Sequence, residues 1–144
     1  LFEKKFGKTS VYELNYIQEE VKLSFFFYAK ERLGQFSKSH RAITRALSTI
    51  TDVNFLAVFG SYAKGNHTKQ SDVDVICVSS QKKEIEHELY GLKYSTNLDF
   101  APVVITKKEF EKIKDENKVF WCDLVKFGII FKGYELFYSE AYLS

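Results

Sequence analysis

Apolar residues fall into short continuous runs and into helix-spaced repeats, which predicts alternating strands and helices. Residues 54–59 are apolar on both faces after Asn54 and end at Gly60, a pattern typical of a central strand. Ser39 can cap a helix that runs to about residue 50. Further strands are predicted over 72–78, 98–105 and 129–131, and further helices over 19–33, 82–93, 119–127 and from Thr106. This order favours an α/β (α+β) fold, a small sheet packed with helices.

Glycines and capping residues set the predicted boundaries of these elements. Gly34 and Gly128 are predicted to end helices, and a capping box begins at Thr106. A turn signal at residues 7–9 lies among strand-forming side chains, so residues 1–15 are predicted to form a short extended pair.

The composition is that of a globular protein. The 144 residues carry 21 Lys plus Arg against 19 Asp plus Glu, a net charge of +2. No apolar run reaches the ~18 residues of a membrane span. The two cysteines do not make a disulfide framework, so a cytoplasmic protein in a reducing compartment is expected. The chain begins at Leu1 and contains no Met, which favours a piece of a longer or processed protein.

The segment that follows the first strand carries the candidate chemistry. It reads Gly60-Ser61-Tyr62-Ala63-Lys64-Gly65. A glycine lets the backbone turn sharply and approach a ligand closely. A hydroxyl at the start of a helical turn adds a donor to the free backbone N–H groups, and Lys64 adds a cation. The segment therefore predicts a phosphate-binding cradle.

Two acidic residues open the next predicted strand. Asp72 and Asp74 lie two apart, so their side chains point to the same face, with Cα atoms ~6.6 Å apart. Converging carboxylates repel unless a cation lies between them, and hard oxygen ligands favour Mg²⁺ bound together with substrate phosphates. A phosphate cradle beside a Mg²⁺ site is what phosphoryl or nucleotidyl transfer requires.

Gly60-Ser61, ten further residues and Asp72-x-Asp74 resemble the signature of the DNA polymerase beta-like nucleotidyltransferase superfamily. Within it, roughly residues 40–137 are most similar to the minimal nucleotidyltransferases of bacteria and archaea. The resemblance implies a small mixed sheet, two divalent metals (Mg²⁺, with Mn²⁺ as the alternative), and ATP or another nucleoside triphosphate as substrate. The nucleotide-binding residues that it implies are Gly60, Ser61, Lys64 and Ser71, and the metal-binding and catalytic residues are Asp72, Asp74 and Asp99.

The match is weakest at the third carboxylate. In close relatives an Asp often lies five residues before the Thr that opens the next helix, and that position here is Ala101. Asp99 lies two residues earlier on the same predicted face, displaced by ~6.6 Å. Either Asp99 is the third metal ligand, or it is a solvated residue at the start of the strand and the site turns over slowly or not at all.

The N-terminal segment is predicted as a separate extension, with residues 1–38 preceding a nucleotidyltransferase domain over 39–144. Residues 1–50 hold 9 basic and 5 acidic side chains, a net charge of +4. Residues 4–15 resemble the wing hairpin of a winged helix-turn-helix domain, which implies DNA contact through a region upstream of Leu1. The alternative is an extension that packs on the catalytic domain, or whose aromatic run at 25–28 forms a homodimer contact.

Two functions are therefore predicted from different classes. The first is an enzyme that moves a nucleoside monophosphate, AMP from ATP, onto a hydroxyl of a protein, an RNA or a small molecule. The second is a catalytically weak nucleotide-binding regulator, either a fragment of a winged-helix transcription regulator or the antitoxin partner of a helical toxin.

Four residues near the motif or in apolar segments are assigned no catalytic role. His67 is expected to be a solvated loop residue, and Tyr62 is expected to pack against the sheet rather than stack on a base. Cys77, in an apolar strand, and Cys122, beside Trp121, are expected to lie in the core, and neither has a neighbouring His that would make it a nucleophile.

Overall fold

The structure is a computed structural model that describes residues 7–143, with side chains described over 19–142. Its helices are α1 (Gly7–Ser39), α2 (Arg41–Leu47), α3 (Gly60–Lys64), α4 (Lys82–Gly91), α5 (Lys93–Thr96), α6 (Lys107–Glu116), α7 (Lys118–Phe127) and α8 (Tyr134–Tyr138), followed by a π-helix (Ser139–Leu143). Its strands are β1 (Phe55–Phe59), β2 (Val73–Val78), β3 (Phe100–Ile105) and β4 (Ile129–Lys132). The predicted mixed α+β class is confirmed.

One mixed sheet organises the described chain, with strand order β3-β2-β1-β4. β1 runs antiparallel to both β2 and β4, whereas β2 and β3 are parallel. The short strand predicted at 129–131 is indeed an edge strand, β4. Parallel neighbours require a crossover, and α4 and α5 supply it between β2 and β3.

The sheet is covered by helices on both faces, which explains why its central strands β1 and β2 are apolar on both faces except at Asp74. Alternate residues of β2 enter two different cores: Val73, Val75 and Cys77 face one, and Ile76 and Val78 face the other. The first core is closed by α1, α2, α3 and α4, and the second by α6, α7 and α8. Cys77 is buried as predicted, and burial raises the pKa of its thiol to about 12.

The extended pair predicted over residues 1–15 is wrong for the described residues. Residues 7–15 belong to the helix α1 and form no hairpin. An isolated two-stranded hairpin is marginal in water, whereas lengthening a helix that is already packed adds one hydrogen bond per residue. Residues 1–6, including the basic start of the expected wing, lie outside the described part of the chain.

Three local predictions are also corrected. Gly34 does not end a helix, since it lies inside α1 with open space around it. Ser39 does not cap α2, because the break falls at His40, which makes no side-chain cap. Cys122 is exposed, because the buried face of α7 is the one that carries Trp121 and Leu124. The capping box at Thr106 is present as predicted.

The C-terminal elements were not predicted from the sequence. α8 and the π-helix place aromatic side chains against α1: Phe25 stacks on Tyr142 at 4.3 Å between ring centroids, and Phe26 meets Tyr134 edge-on at 5.4 Å. The aromatic run in α1 therefore packs partly within the chain, while Phe27 and Tyr28 remain exposed.

Candidate active site

The candidate site begins where β1 ends in a tight turn. Gly60 has φ +70° and starts α3, and Gly65 with φ +79° ends it one turn later. Both angles lie in the left-handed region, which side chains other than glycine adopt at a cost. A Cβ added to Gly60 would overlap Oδ2 of Asp74 and lie 3.1 Å from its Cγ. The absence of a side chain at residue 60 thus allows the carboxylate of Asp74 to lie directly against the turn.

The two acids predicted to converge are brought together at the start of β2. Phe59 of β1 is in register with Asp74, which places the turn and this carboxylate side by side. Asp72 is exposed and Asp74 half-buried. Burial, and then the negative charge of Asp72, raise the pKa of Asp74. A cation between two such oxygen donors would relieve their repulsion, so this pair fits Mg²⁺.

The third acid lies at the same end of the sheet but is already paired. Asp74 is in register with Ala101, and the backbone carbonyl of Asp99 accepts a hydrogen bond from the N–H of Val73 at 2.8 Å. The Asp99 carboxylate forms an ion pair with Lys93 at 2.8 Å. Among the described residues no three His, Cys, Asp or Glu side chains form a metal-binding group. The structure therefore has two carboxylates at this edge whose charges interact and a third that is paired with a lysine.

The remaining predicted nucleotide ligands have partners in the fold. Lys64 forms an ion pair with Asp123 at 2.6 Å and lies 5.5 Å from the ring centroid of Phe127, so it joins α3 to α7. Ser71 Oγ accepts a hydrogen bond from the N–H of Thr68 at 2.8 Å, which shapes the loop between α3 and β2. Ser61, half-buried in the first turn of α3, has its carbonyl hydrogen-bonded by the N–H of Asn66.

An aromatic stack supports the motif from the other side of α3. Tyr62 is buried as predicted, and His67 stacks on it at 4.0 Å between centroids with an interplanar angle of 11°. His67 is therefore a packed residue rather than a solvated one. The ring of His40 contacts both edge-on, with its centroid 5.4 Å from that of Tyr62 and 5.0 Å from that of His67. Burial, followed by the charge of His67, lowers the pKa of His40.

Sequence reasoning missed Lys93 as a neighbour of the acids. Its hydrogen bond to Asp99 raises its pKa, and the charge of Asp72 adds to the effect. Lys93 lies in the short helix before β3, and no motif or spacing in the sequence marks it. Its contact with Asp99 forms across the left-handed turn at Asn97 that joins α5 to β3.

This geometry agrees with the family match. Residues 37–131 match the nucleotidyltransferase domain. The chain belongs to this family. The matched nucleotidyltransferase domain contains the turn at Gly60, Asp72, Asp74 and the described sheet up to the last residue of β4, which confirms the superfamily resemblance seen in the sequence.

Two solved structures are similar to this nucleotidyltransferase. One is described as a crystal structure of a toxin-antitoxin with AMP-PNP, with 19% sequence identity over 68% of this chain and 79% of that one, at a TM-score of 0.44. The other is a putative nucleotidyltransferase from Sulfolobus solfataricus, with 22% identity over 60% of this chain and 81% of that one, at a TM-score of 0.31. No curated protein matches the chain.

No described helix is both long enough and apolar enough to cross a membrane.

Proposed function

We propose that this chain is a divalent-metal-dependent nucleotidyltransferase that transfers a nucleoside monophosphate, AMP from ATP, to a hydroxyl acceptor. The observation that carries the proposal is the contact between the turn and the acid pair. Gly60 in its left-handed conformation lies against Asp74, and Asp74 is close enough to Asp72 for their charges to interact. A phosphate-binding turn and a pair of hard ligands at one point are the parts that nucleotidyl transfer needs.

In this proposal each residue has a defined task. Ser61 and the backbone amides at the start of α3 hold the triphosphate. Asp72 and Asp74 hold Mg²⁺, which supplies positive charge at the phosphate oxygens. The acceptor oxygen forms a bond to the α-phosphorus, the bond from that phosphorus to the bridging oxygen breaks, and pyrophosphate leaves. The hydroxyl proton passes to a carboxylate at this edge of the sheet.

The test is transfer of label from ATP. The native chain, incubated with Mg²⁺ and α-labelled ATP and with lysate as the source of acceptor, is expected to label a protein, an RNA or a small molecule and to release pyrophosphate. Asp72→Asn and Asp74→Asn remove the metal ligands and are expected to abolish labelling. Glu86→Gln on exposed α4 is a charge-matched control. Equal labelling by the native chain and the Asp74 variant would refute the proposal.

A second candidate function is a nucleotide-binding regulator with little or no transfer. It is supported by the third acid position, since Ala101 stands opposite Asp74 and Asp99 is paired with Lys93. In that case the native chain binds ATP with Mg²⁺ but transfers no label. A hydroxyl acceptor, a DNA contact, a helical toxin partner and a homodimer remain predictions from the sequence.

Ala101→Asp separates the two candidates, because it places a carboxylate opposite Asp74. If the native chain is a regulator that lacks only this ligand, the variant is expected to gain transfer. If the native chain is an enzyme that works with two acids, Ala101→Asp changes the rate of an activity that is already present. Measuring both proteins in the same labelling assay distinguishes these outcomes.

A further inference from the structure

A cavity of about 340 Å³ lies between α1, α7, β4 and α8, and its described lining includes none of the candidate nucleotide or metal ligands. Cavities of roughly 300–1,000 Å³ that combine apolar walls with a few polar groups are typical of small-molecule sites. We propose that this cavity is a second ligand site, which takes a small planar aromatic acid whose anionic group pairs with Arg32. This inference does not rest on the proposed nucleotidyl transfer.

The walls of the cavity favour an aromatic occupant. Phe25 stacks on Tyr142 at 4.3 Å between ring centroids, with an interplanar angle of 23°. Tyr28 and Tyr142 are 55% and 40% exposed, so the cavity is open to a molecule from solvent. Planar rings gain stacked or edge-on contacts with such walls in addition to the burial of apolar area. The aromatic residues of the lining are Phe25, Tyr28, Tyr134, Phe137 and Tyr142.

The charge of the cavity favours an anion. Arg32 and Lys126 are the basic residues among the eleven described ones that line it, and none of the eleven is acidic. Among the described residues no Asp or Glu forms an ion pair with Arg32. A half-buried guanidinium beside apolar rings is therefore matched by no negative charge from the described part of the chain.

The guanidinium of Arg32 also has donors to spare. Its Nη1 and Nη2 each donate one hydrogen bond, to the carbonyls of Gly128 and Ala63 at 3.2 and 3.3 Å. A guanidinium has five N–H donors, so three are left without an acceptor among the described residues. Because both carbonyls are neutral, they fix the orientation of the guanidinium and leave its charge unmatched. A carboxylate is the group that such a fork of donors binds best.

The experiment measures the binding of 2-naphthoate, a fused aromatic ring system with one carboxylate, by isothermal titration calorimetry. The native chain is expected to bind one molecule. 2-Naphthamide keeps the rings but lacks the charge, and it is expected to bind about tenfold more weakly, the usual effect of losing a hydrogen bond between charged groups. Decahydro-2-naphthoate keeps the charge and the carbon skeleton but is not planar, and it is also expected to bind more weakly.

Two variants locate the binding within the cavity. Arg32→Met removes the guanidinium and is expected to weaken 2-naphthoate about tenfold while leaving 2-naphthamide unchanged, a difference that a general loss of structure would not produce. Ala29→Phe keeps Arg32 and places a ring in the cavity, so it is expected to abolish the binding of both compounds. Gln35→Phe, exposed on the same helix, and Arg45→Met, exposed on α2, are the matched controls and should bind as the native chain does.

The outcomes separate this inference from the proposed function. No binding of 2-naphthoate by the native chain, equal binding of the acid and the amide, or undiminished binding by Ala29→Phe would overturn the second site. Competitive displacement of 2-naphthoate by ATP with Mg²⁺ would place the probe in the nucleotide site and overturn it as well. None of these results bears on the transfer of label from ATP. Thermal unfolding checks that each variant is folded, and if Arg32→Met is not, Ala29→Phe and the amide decide the question.

Discussion

Gly60 combines a left-handed backbone conformation with a close approach to the Asp74 carboxylate. Gly60→Ala adds a Cβ at φ +70° that overlaps the Asp74 carboxylate. We expect the variant to lose about 1–3 kcal/mol of unfolding free energy, the usual cost of such a conformation. We also expect it to lose nucleotide binding, because Asp74 must move. Urea unfolding and titration with a fluorescent ATP analogue measure the two effects.

Gly65→Ala is the matched control for this variant. Gly65 has a similar φ of +79°, but nothing lies within 4 Å of an added Cβ. The same backbone cost without the collision should lower stability and leave nucleotide binding largely intact. Equal loss of binding in the two variants would show that backbone strain, and not the contact with Asp74, is responsible.

Asp74 is expected to make the stability of the nucleotide-free protein depend on pH. Its pKa is raised in the folded chain, so over the pH range above the ordinary value of 3.8 the folded state holds the proton more tightly than the unfolded state. Stability therefore falls as pH rises through this range. Asp74→Asn should raise the melting temperature at pH 7, and the gain should disappear toward pH 3. Asp115→Asn on exposed α6 should show no such gain.

The sequence predicted the site residues that belong to the motif of turn and alternating acids. The turn at Gly60 and the pair Asp72 and Asp74 follow from their spacing, because a strand fixes which way alternate side chains point. The contact of Lys64 with Asp123 depends on how α7 returns to the sheet, and local pattern carries no information on that return. Lys93 and Asp99 are closer along the chain, but their pairing depends on the left-handed turn at Asn97, which no motif marks.

At the scale of the elements, Arg32 joins the long N-terminal helix to the site. Its Nη1 donates to the carbonyl of Gly128 at 3.2 Å and its Nη2 to the carbonyl of Ala63, in α3, at 3.3 Å. Arg32→Met keeps the length of the side chain and removes both hydrogen bonds. We expect a loss of about 1–3 kcal/mol in urea unfolding, as for hydrogen bonds to a charged group. We also expect faster hydrogen exchange in α3.

Arg45→Met is the control for this prediction, since Arg45 is exposed in α2. It should alter stability by less than about 0.5 kcal/mol, the usual range for exposed positions. If Arg32→Met were equally mild, α1 would be held to the domain by its apolar contacts and not by the guanidinium group.

The elements that were predicted well are those with strong apolar patterns on both sides of a turn. β1 and the part of β2 that follows Asp74 are continuous apolar runs because each faces two cores, and such runs stand out in the sequence. α8 and the π-helix were missed although Tyr134, Phe137, Tyr138 and Ala141 recur at helical spacing. The first part of α1 was misread because strand-forming side chains at its start outweighed the helix that continues from residue 19 onward.

For the molecule as a whole, the packing of His40 against the rings of Phe36, Tyr62 and His67 predicts sensitivity to acid. The pKa of His40 is lowered in the folded chain, so below about pH 6.5 the unfolded state binds more protons and stability falls as pH decreases. His40→Phe keeps an aromatic ring against Phe36, whose ring centroid lies 4.6 Å from that of His40 in the native chain. We expect the melting temperature of this variant to fall less than that of the native protein between pH 7 and pH 5.

His87 provides the comparison for this prediction, because it is exposed on α4. His87→Phe should leave the acid sensitivity unchanged. If His40→Phe and the native protein melted in parallel over the whole range, protonation of other groups would set the acid limit of the fold.

The sequence predicted the fold class, but it could not predict the order of the strands or the way the helices pack on the sheet. A small mixed sheet between helices follows from the order of elements, and the family resemblance points the same way. The strand order β3-β2-β1-β4 and the two-sided covering depend on long-range pairing, which many sequences with the same local patterns could satisfy differently. The packing of α1 against β4 likewise depends on long-range contacts.

That position has a mechanical consequence. α1 is 33 residues long, so at 1.5 Å per residue it extends for about 50 Å, and one guanidinium group ties it to the last turn of α3. A pull or twist applied at the distal end of this rod reaches α3 through Arg32, which bonds the backbone of Ala63, and through Phe36, whose ring contacts His40 and thereby Tyr62. Force on the amino-terminal part of α1 is therefore coupled through these side chains to the turn proposed to bind a triphosphate.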